Sequence, residues 1–223
     1  MREIVLDTET TGLDPNDGHR VVEIACVELL NHVPTGNHFH RYINPMRDMP
    51  EEAYNVHGLS AEFLSTHPLF EAVVDEFLEF IGNDKLIIHN AEFDLKFLNW
   101  ELKQVGRPKL SCPVEDTLLM ARRKFPGAQA SLDALCRRFE IDLSARSKHG
   151  ALLDGELLAA VYLELLGGRQ PDLALATVAA ATARAVVERI LRPARPHGPS
   201  EAELEAHAAF MKKLKEPLWL AEG

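Results

Sequence analysis

At 223 residues and 46 % hydrophobic positions, the chain has apolar material for one globular domain of about 150 to 200 residues and only a modest extension. No stretch approaches the roughly 18 uninterrupted apolar positions of a membrane-spanning helix. The N-terminus enters strand-like Glu3-Ile4-Val5-Leu6 with neither a basic leader nor an apolar signal core, so a soluble, cytoplasmic protein without a membrane partner is expected. A formal charge of −10 argues against tight nucleic-acid binding by this chain alone, because phosphate contacts come chiefly from clustered Lys and Arg.

Residues 2–9 and 21–30 predict β-strands, short and rich in β-branched and apolar residues, separated by the turn-forming run Gly12-Leu13-Asp14-Pro15-Asn16-Asp17-Gly18. Residues 37–44 make a third strand. Val73, Val74, Phe77, Leu78 and Ile81 recur at helical spacing within 71–81, and 85–89 supplies a short buried strand. The helical period returns over 92–105, a brief strand falls at 114–116, and helices follow at 117–124, 131–139 and 151–166. Three strands in succession, then helices alternating with shorter strands, predict an α/β domain: a mixed sheet flanked by helices.

Past Gly167-Gly168 the composition turns Ala-rich over 173–191 and then breaker-rich at 192–199. The first domain is therefore expected to span 1–168, with 169–199 a linker that is helical in part and 200–223 a C-terminal tail. In the tail, Ser200 and Glu203 form a capping box for a helix running to near Lys215. Leu204, Ala208, Met211 and Leu214 fall close to one face of it, flanked by Phe210. A helix cut off by a Pro-rich run has no core of its own to cover and needs a partner. Trp219, within Pro217-Leu218-Trp219-Leu220, adds an aromatic anchor of the kind that dominates interfaces. Cys26, Cys112 and Cys136 lack the paired spacing of a zinc or redox motif and read as reduced core thiols.

The chemistry concentrates in three segments. Asp7 and Glu9, two apart on a strand, point to one face. Adjacent anions at the end of a strand of Ile, Val and Leu raise each other's pKa unless a cation intervenes, and a divalent metal is the natural compensation. Asp94 lies where the short strand at 85–89 gives way to a helix. His149 and Asp154 flank the opening of the 151–166 helix. Five positions correspond to about 140° around a helix, so these two share a site only if His149 precedes the helix, a break that Gly150 permits. Taken singly, each residue has an ordinary reading as a solvated carboxylate, a first-turn aspartate or a capping histidine. Together, four carboxylates and a histidine at strand and loop junctions of one domain suit Mg²⁺ or Mn²⁺ rather than zinc. Two such ions about 3.5–4 Å apart stabilise the attacking and leaving oxygens of phosphodiester cleavage, with the histidine as base.

The runs D-T-E-T-T-G at 7–12, H-N-A-x-F-D at 89–94 and H-G-A-L-L-D at 149–154 resemble the three motifs of the DEDDh family of 3′→5′ exonucleases. The resemblance implies a ribonuclease H-like fold and two metal ions, Mg²⁺ or Mn²⁺, bound by Asp7, Glu9, Asp94 and Asp154. It also implies His149 as general base and release of nucleoside 5′-monophosphates from a DNA 3′ end. Thr10, Thr11 and Gly12 would line the terminal-nucleotide pocket, with Val56, His57 and Phe93 near its base or sugar, although His57 reads equally as a packed loop residue. Within the family, motif wording and length are similar to the proofreading subunits of bacterial replicative DNA polymerases over about residues 1–168. That similarity implies removal of mismatched nucleotides from a primer and the polymerase's catalytic alpha subunit as the partner of the tail.

Gln170-Pro171-Asp172-Leu173-Ala174-Leu175 loosely resembles the Gln-initiated peptides that dock on the bacterial sliding clamp through residues such as Gln170, Leu173 and Leu175. A plain linker into the Ala-rich segment is the other reading. Two alternatives to a polymerase-associated exonuclease stay open. A free-standing DEDDh enzyme acting on single-stranded DNA or short RNA would be expected to read D-x-E-M-T-G and to end near its last catalytic helix, whereas Thr10 stands here and the chain continues. A non-catalytic scaffold would tolerate loss of site residues, and none of the five is lost.

Overall fold

The structure, a computed structural model, describes residues 1–144, 148–168 and 198–214. The chain divides into two units, Met1–Pro171 and Asp172–Gly223. In the first, β1 (Arg2–Thr10), β2 (Val21–Leu30) and β3 (Val33–Tyr42) form an antiparallel meander. β4 (Lys85–Ile88) then lies parallel to β1, and β5 (Val114–Asp116) parallel to β4, giving the sheet order β3-β2-β1-β4-β5. The helices are α1 (Glu51–His57), α2 (Ala61–Ser65), α3 (Phe70–Ile81), α4 (Ala91–Gln104), α5 (Thr117–Lys124), α6 (Leu132–Arg138) and α7 (Ala151–Leu166). α3 and α4 lie in the connections that parallel pairing requires. The mixed sheet flanked by helices is the α/β architecture that the sequence predicts.

The alternation of β1 sorts its residues between two cores. Ile4 and Leu6 are buried with Phe77 of α3 and with Phe97, Leu98 and Leu102 of α4. Val5 is buried on the opposite face with Ile87, Leu158 and Tyr162, and so meets α7. α7 is buried a second time through Leu157, Val161 and Leu165, which pack with Ala121, Leu135 and Cys136. A helix covered on two sides carries apolar residues around most of its circumference, as this one does.

Three local expectations are corrected, and two short helices are added to them. β3 begins at Val33 rather than 37 and ends at Tyr42; Pro34 and Gly36 look like breakers, but an edge strand tolerates both. The seven-residue α1 and five-residue α2 were not foreseen, because neither is long enough to show a helical period. Cys26 and Cys136 are buried thiols, whereas Cys112, on the turn before β5, is only partly buried. In the second unit, α8 (Glu201–Met211) carries the expected Ser200–Glu203 capping box but stops at Met211, short of Lys215. The residues of α8 are exposed apart from a half-buried Met211, with Leu204 and Phe210 among the open apolar side chains. Gln170, Leu173, Leu175 and Trp219 lie outside the described residues. Among the described residues, no helix is long and apolar enough to cross a membrane.

Candidate active site

Strand alternation directs Asp7 and Glu9 to the same side as Val5, the face that α7 covers. A register shift between Glu9 and Thr10 ends the regular pairing of β1 with β2; such bulges re-aim side chains at the end of a strand. α7 starts at Ala151 on an extended Gly150, so His149 stands before the helix and is released from helical angular spacing. Its Nδ1 lies 3.0 Å from Oδ2 of Asp154. Glu9, His149 and Asp154 each place one potential ligand atom within 4.8 Å of the others. The backbone N–H of His149 donates to the Val56 carbonyl at 3.2 Å, which fixes this loop against α1.

Asp94 belongs to α4, on the other side of the sheet, and meets β1 through the residue that alternates to that side. The Thr8 hydroxyl donates to Oδ1 of Asp94 at 2.7 Å. Burial raises the Asp94 carboxyl to about 7 against the opposing hydrogen bonds from Thr8. Asp7 is raised well above the carboxylate range by burial first and then by the negative charges of Asp94, Glu9 and Asp154. Four carboxyl groups thus act on one another around the end of β1. A carboxylate set of this kind, destabilised by its own charge, fits a divalent metal ion.

Two cavities flank this centre and, among the described residues, share none in their linings. The first, about 520 Å³, is bordered by all six residues expected there, Thr10, Thr11, Gly12, Val56, His57 and Phe93, together with Glu9. Its volume falls in the usual range of a small-molecule pocket. Gly12 is required for the close approach of its wall, since a Cβ there would fall 2.3 Å from the His19 ring. Nδ1 of His57 accepts from the Leu59 N–H at 3.0 Å, and its Nε2 is buried beside the Thr10 backbone, with no partner in strict hydrogen-bond geometry among the described residues. Burial lowers the pKa of His57 and keeps the ring neutral at pH 7. The second cavity, about 680 Å³, is bordered by Asp7, His149 and Asp154 and extends past Asn90, Arg122 and Gln129.

Sequence reasoning missed several residues that build the site. Thr8 was hidden between the two carboxylates it separates. Asp116 accepts N–H bonds from Asn90 and Ala91 (3.3 and 3.0 Å) and from Leu118 and Leu119 (2.8 and 3.2 Å). It therefore caps α5 and ties that helix to the turn that opens α4 and carries Asp94. An aspartate directly before a helix is a legible cap signal, but its second role needs the sheet order. Glu52, Pro50 and His19 of the first cavity lie in segments without a chemical motif.

A mixed sheet whose central strand ends in clustered carboxylates beside a histidine and two cavities defines the class as a metal-dependent nuclease. The exonuclease family RNase_T matches residues 4–162. The DNA polymerase III subunit epsilon of Rickettsia conorii is 49 % identical over 222 residues, covering 96 % of this chain and 96 % of the relative. The corresponding Escherichia coli K12 subunit is 44 % identical over 238 residues, covering 99 % and 98 %. Among solved structures, the nuclease domain of 3′hExo, a DEDDh family member bound to rAMP, superposes with a TM-score of 0.65 at 18 % identity over 74 % of this chain and 91 % of that one. Exonuclease X in complex with 5′ overhanging duplex DNA gives 0.60 at 24 % identity, over 74 % and 90 %. These two likenesses establish the ribonuclease H-like fold. The chain belongs to the RNase_T exonuclease family and, within it, to the DNA polymerase III epsilon subunits, the proofreading 3′→5′ exonucleases. The DEDDh family is divalent-metal dependent.

Proposed function

We propose that this chain removes mismatched nucleotides one at a time from the primer 3′ end, with Asp7, Glu9, Asp94 and Asp154 holding two Mg²⁺ or Mn²⁺ ions and His149 acting as general base. The observation that carries this reading is the approach of Glu9, His149 and Asp154 within 4.8 Å, beside an Asp7 carboxyl that three neighbouring carboxylates disfavour as an anion. When bound, the ions would neutralise those charges and the charge that develops on the phosphate. A proton on Nδ1 of His149 makes its 3.0 Å contact with Asp154 a hydrogen bond and leaves Nε2 as the base that takes a proton from the attacking water. The terminal nucleoside occupies the first cavity, against Thr10 to Gly12, Val56 and Phe93. A proton on the buried Nε2 of His57 gives that cavity a neutral donor.

The same reading assigns the tail a binding role. α8 and the Trp219 segment beyond it engage the polymerase's catalytic alpha subunit, a role supported by the exposed Leu204 and Phe210 on a capped helix. Gln170, Leu173 and Leu175 would serve as a sliding-clamp contact. A cytoplasmic location accords with this role in replication.

The deciding experiment incubates the purified protein with matched and 3′-mismatched primers, in Mg²⁺, Mn²⁺ or a chelator, and resolves the products at single-nucleotide resolution. Stepwise release of 5′-monophosphates, faster from the mismatched end and abolished by the chelator, is expected. Internal cuts, or release that survives the chelator, would rule the reading out.

A further inference from the structure

We propose that the second cavity receives the strand that leads up to the scissile phosphate, and that Arg122 contacts the backbone of that strand. The inference rests on the exonuclease reading and extends it to the other side of the substrate. A phosphodiester held at the carboxylate centre joins two nucleosides. With the terminal one in the first cavity, the rest of the strand leaves on another side of the phosphate. There the wall formed by Asp7, His149 and Asp154 continues outward into the second cavity.

The charges of the two cavities differ in the sense this division requires. Among the described residues, the first is lined by Glu9, Asp14, Asp17 and Glu52 and by no Lys or Arg, an environment that repels a run of phosphates. Among the described residues, the carboxylates that line the second are Asp7 and Asp154 of the metal centre, and Arg122 is the Lys or Arg that lines it. Phosphate contacts supply most of the affinity for a strand and come largely from such side chains. In a chain of charge −10, a cation on the strand's path carries unusual weight.

α5 ends in Arg122, Arg123 and Lys124, and cations in a last turn ordinarily complement the helix dipole. Two of the three also have specific partners. Lys124 donates to the carbonyls of Glu164 and Leu165 at 3.2 and 2.8 Å, and Arg123 lies 3.6 Å from Glu115. Arg122 is exposed and makes no ion pair among the described residues. Asn90 and Gln129 line the cavity with it and offer neutral donors of the kind that bind phosphate oxygens.

The test compares two substrates. Thymidine 5′-(p-nitrophenyl phosphate) presents a terminal nucleoside and a cleavable phosphodiester with no preceding nucleotide, whereas a single-stranded oligodeoxynucleotide presents the whole strand. Arg122→Ala is expected to raise KM for the oligonucleotide about tenfold, the scale of one charge-assisted contact, and to leave the ester's kinetics unchanged. Arg122→Lys recovers part of the loss, and Arg123→Ala alters neither substrate. In chelator, the anisotropy of a fluorescent oligonucleotide should show a salt slope about 0.7 shallower in Arg122→Ala, the share of one phosphate on a single strand. An unchanged KM for the oligonucleotide, or equal impairment of ester and oligonucleotide, overturns the assignment of Arg122. A wild-type protein that cleaves neither substrate overturns the exonuclease reading itself.

Discussion

Asp94 sits in an environment that favours its protonated form. Asp94 ionises near 7 in the folded protein and near 3.9 in an unfolded chain. Between those values the folded state holds a proton that the unfolded state has lost, so in the absence of metal this group's contribution to stability falls as pH rises from about 4 to about 7. Asp94→Asn keeps an acceptor for Thr8 and removes the charge. In chelator it should match the wild type near pH 4.5 and melt at a higher temperature at pH 8, while losing most of the stabilisation that Mn²⁺ gives the wild type. A variant less stable than wild type at pH 8 in chelator would refute this account. His149→Ala should lower kcat by about 10² to 10⁴, with partial recovery at alkaline pH. The Mn²⁺-induced rise in melting temperature should persist. Its loss would make the ring, whose nitrogen lies within the 4.8 Å group, a ligand rather than a base.

At the scale of elements, the site depends on how the connection between β1 and β2 is anchored. Arg20, at the end of that connection, makes two 2.7 Å bonds from Nε and Nη2 to the carboxylate of Glu101 on α4, and its guanidinium lies over Trp100. Its backbone N–H donates to the Thr11 hydroxyl at 3.0 Å and its carbonyl accepts from the Thr11 N–H at 2.9 Å. The ion pair thereby holds the wall of the first cavity against α4, which also supplies Phe93 to that cavity. Glu101 is 1 % exposed, and removing its partner leaves a buried charge uncompensated. Arg20→Ala should therefore cost about 3–5 kcal/mol in chemical denaturation. Glu101→Gln keeps most of the shape, leaves Arg20 some access to water and should cost less. Equal losses from the two would remove buried charge as the cause. The geometry is a planar two-point fork, so Arg20→Lys should fall between wild type and Arg20→Ala.

For the whole molecule, the first unit contains the sheet, both of its cores and every residue of the carboxylate centre, whereas the second contributes a capped helix with exposed apolar residues. Truncation after Arg195 should leave digestion of free single strands unchanged and abolish co-purification with the polymerase's catalytic subunit. Unchanged association would show that the tail is not the tether. Loss of digestion would show that the tail supports the enzyme itself. Tethering raises the effective concentration of exonuclease at the primer end, and such a tether would offset the weak intrinsic DNA affinity of a chain whose charge is −10.

The sequence by itself determined the elements whose pattern is local and long enough to repeat. The bounds of β2, β5, α5 and α7 follow from alternation or helical period, and the placing of Asp7 and Glu9 on one face follows from the two-residue repeat of a strand. The break before α7 was legible at Gly150, and with it the release of His149 from the helix. What remained hidden depended on contacts between distant segments. Asp94 reaches the centre from the opposite face of the sheet through Thr8, Asp116 secures two helices at once, and α1 and α2 are too short to carry a period of their own. The division of the surroundings into an acidic cavity and one bordered by Arg122 also arises only from packing, because pocket walls are assembled from loops with no shared repeat. Periodicity reports which face a side chain takes, whereas the partner it meets there is decided by the order of strands in the sheet and by the layer of helices that covers each face.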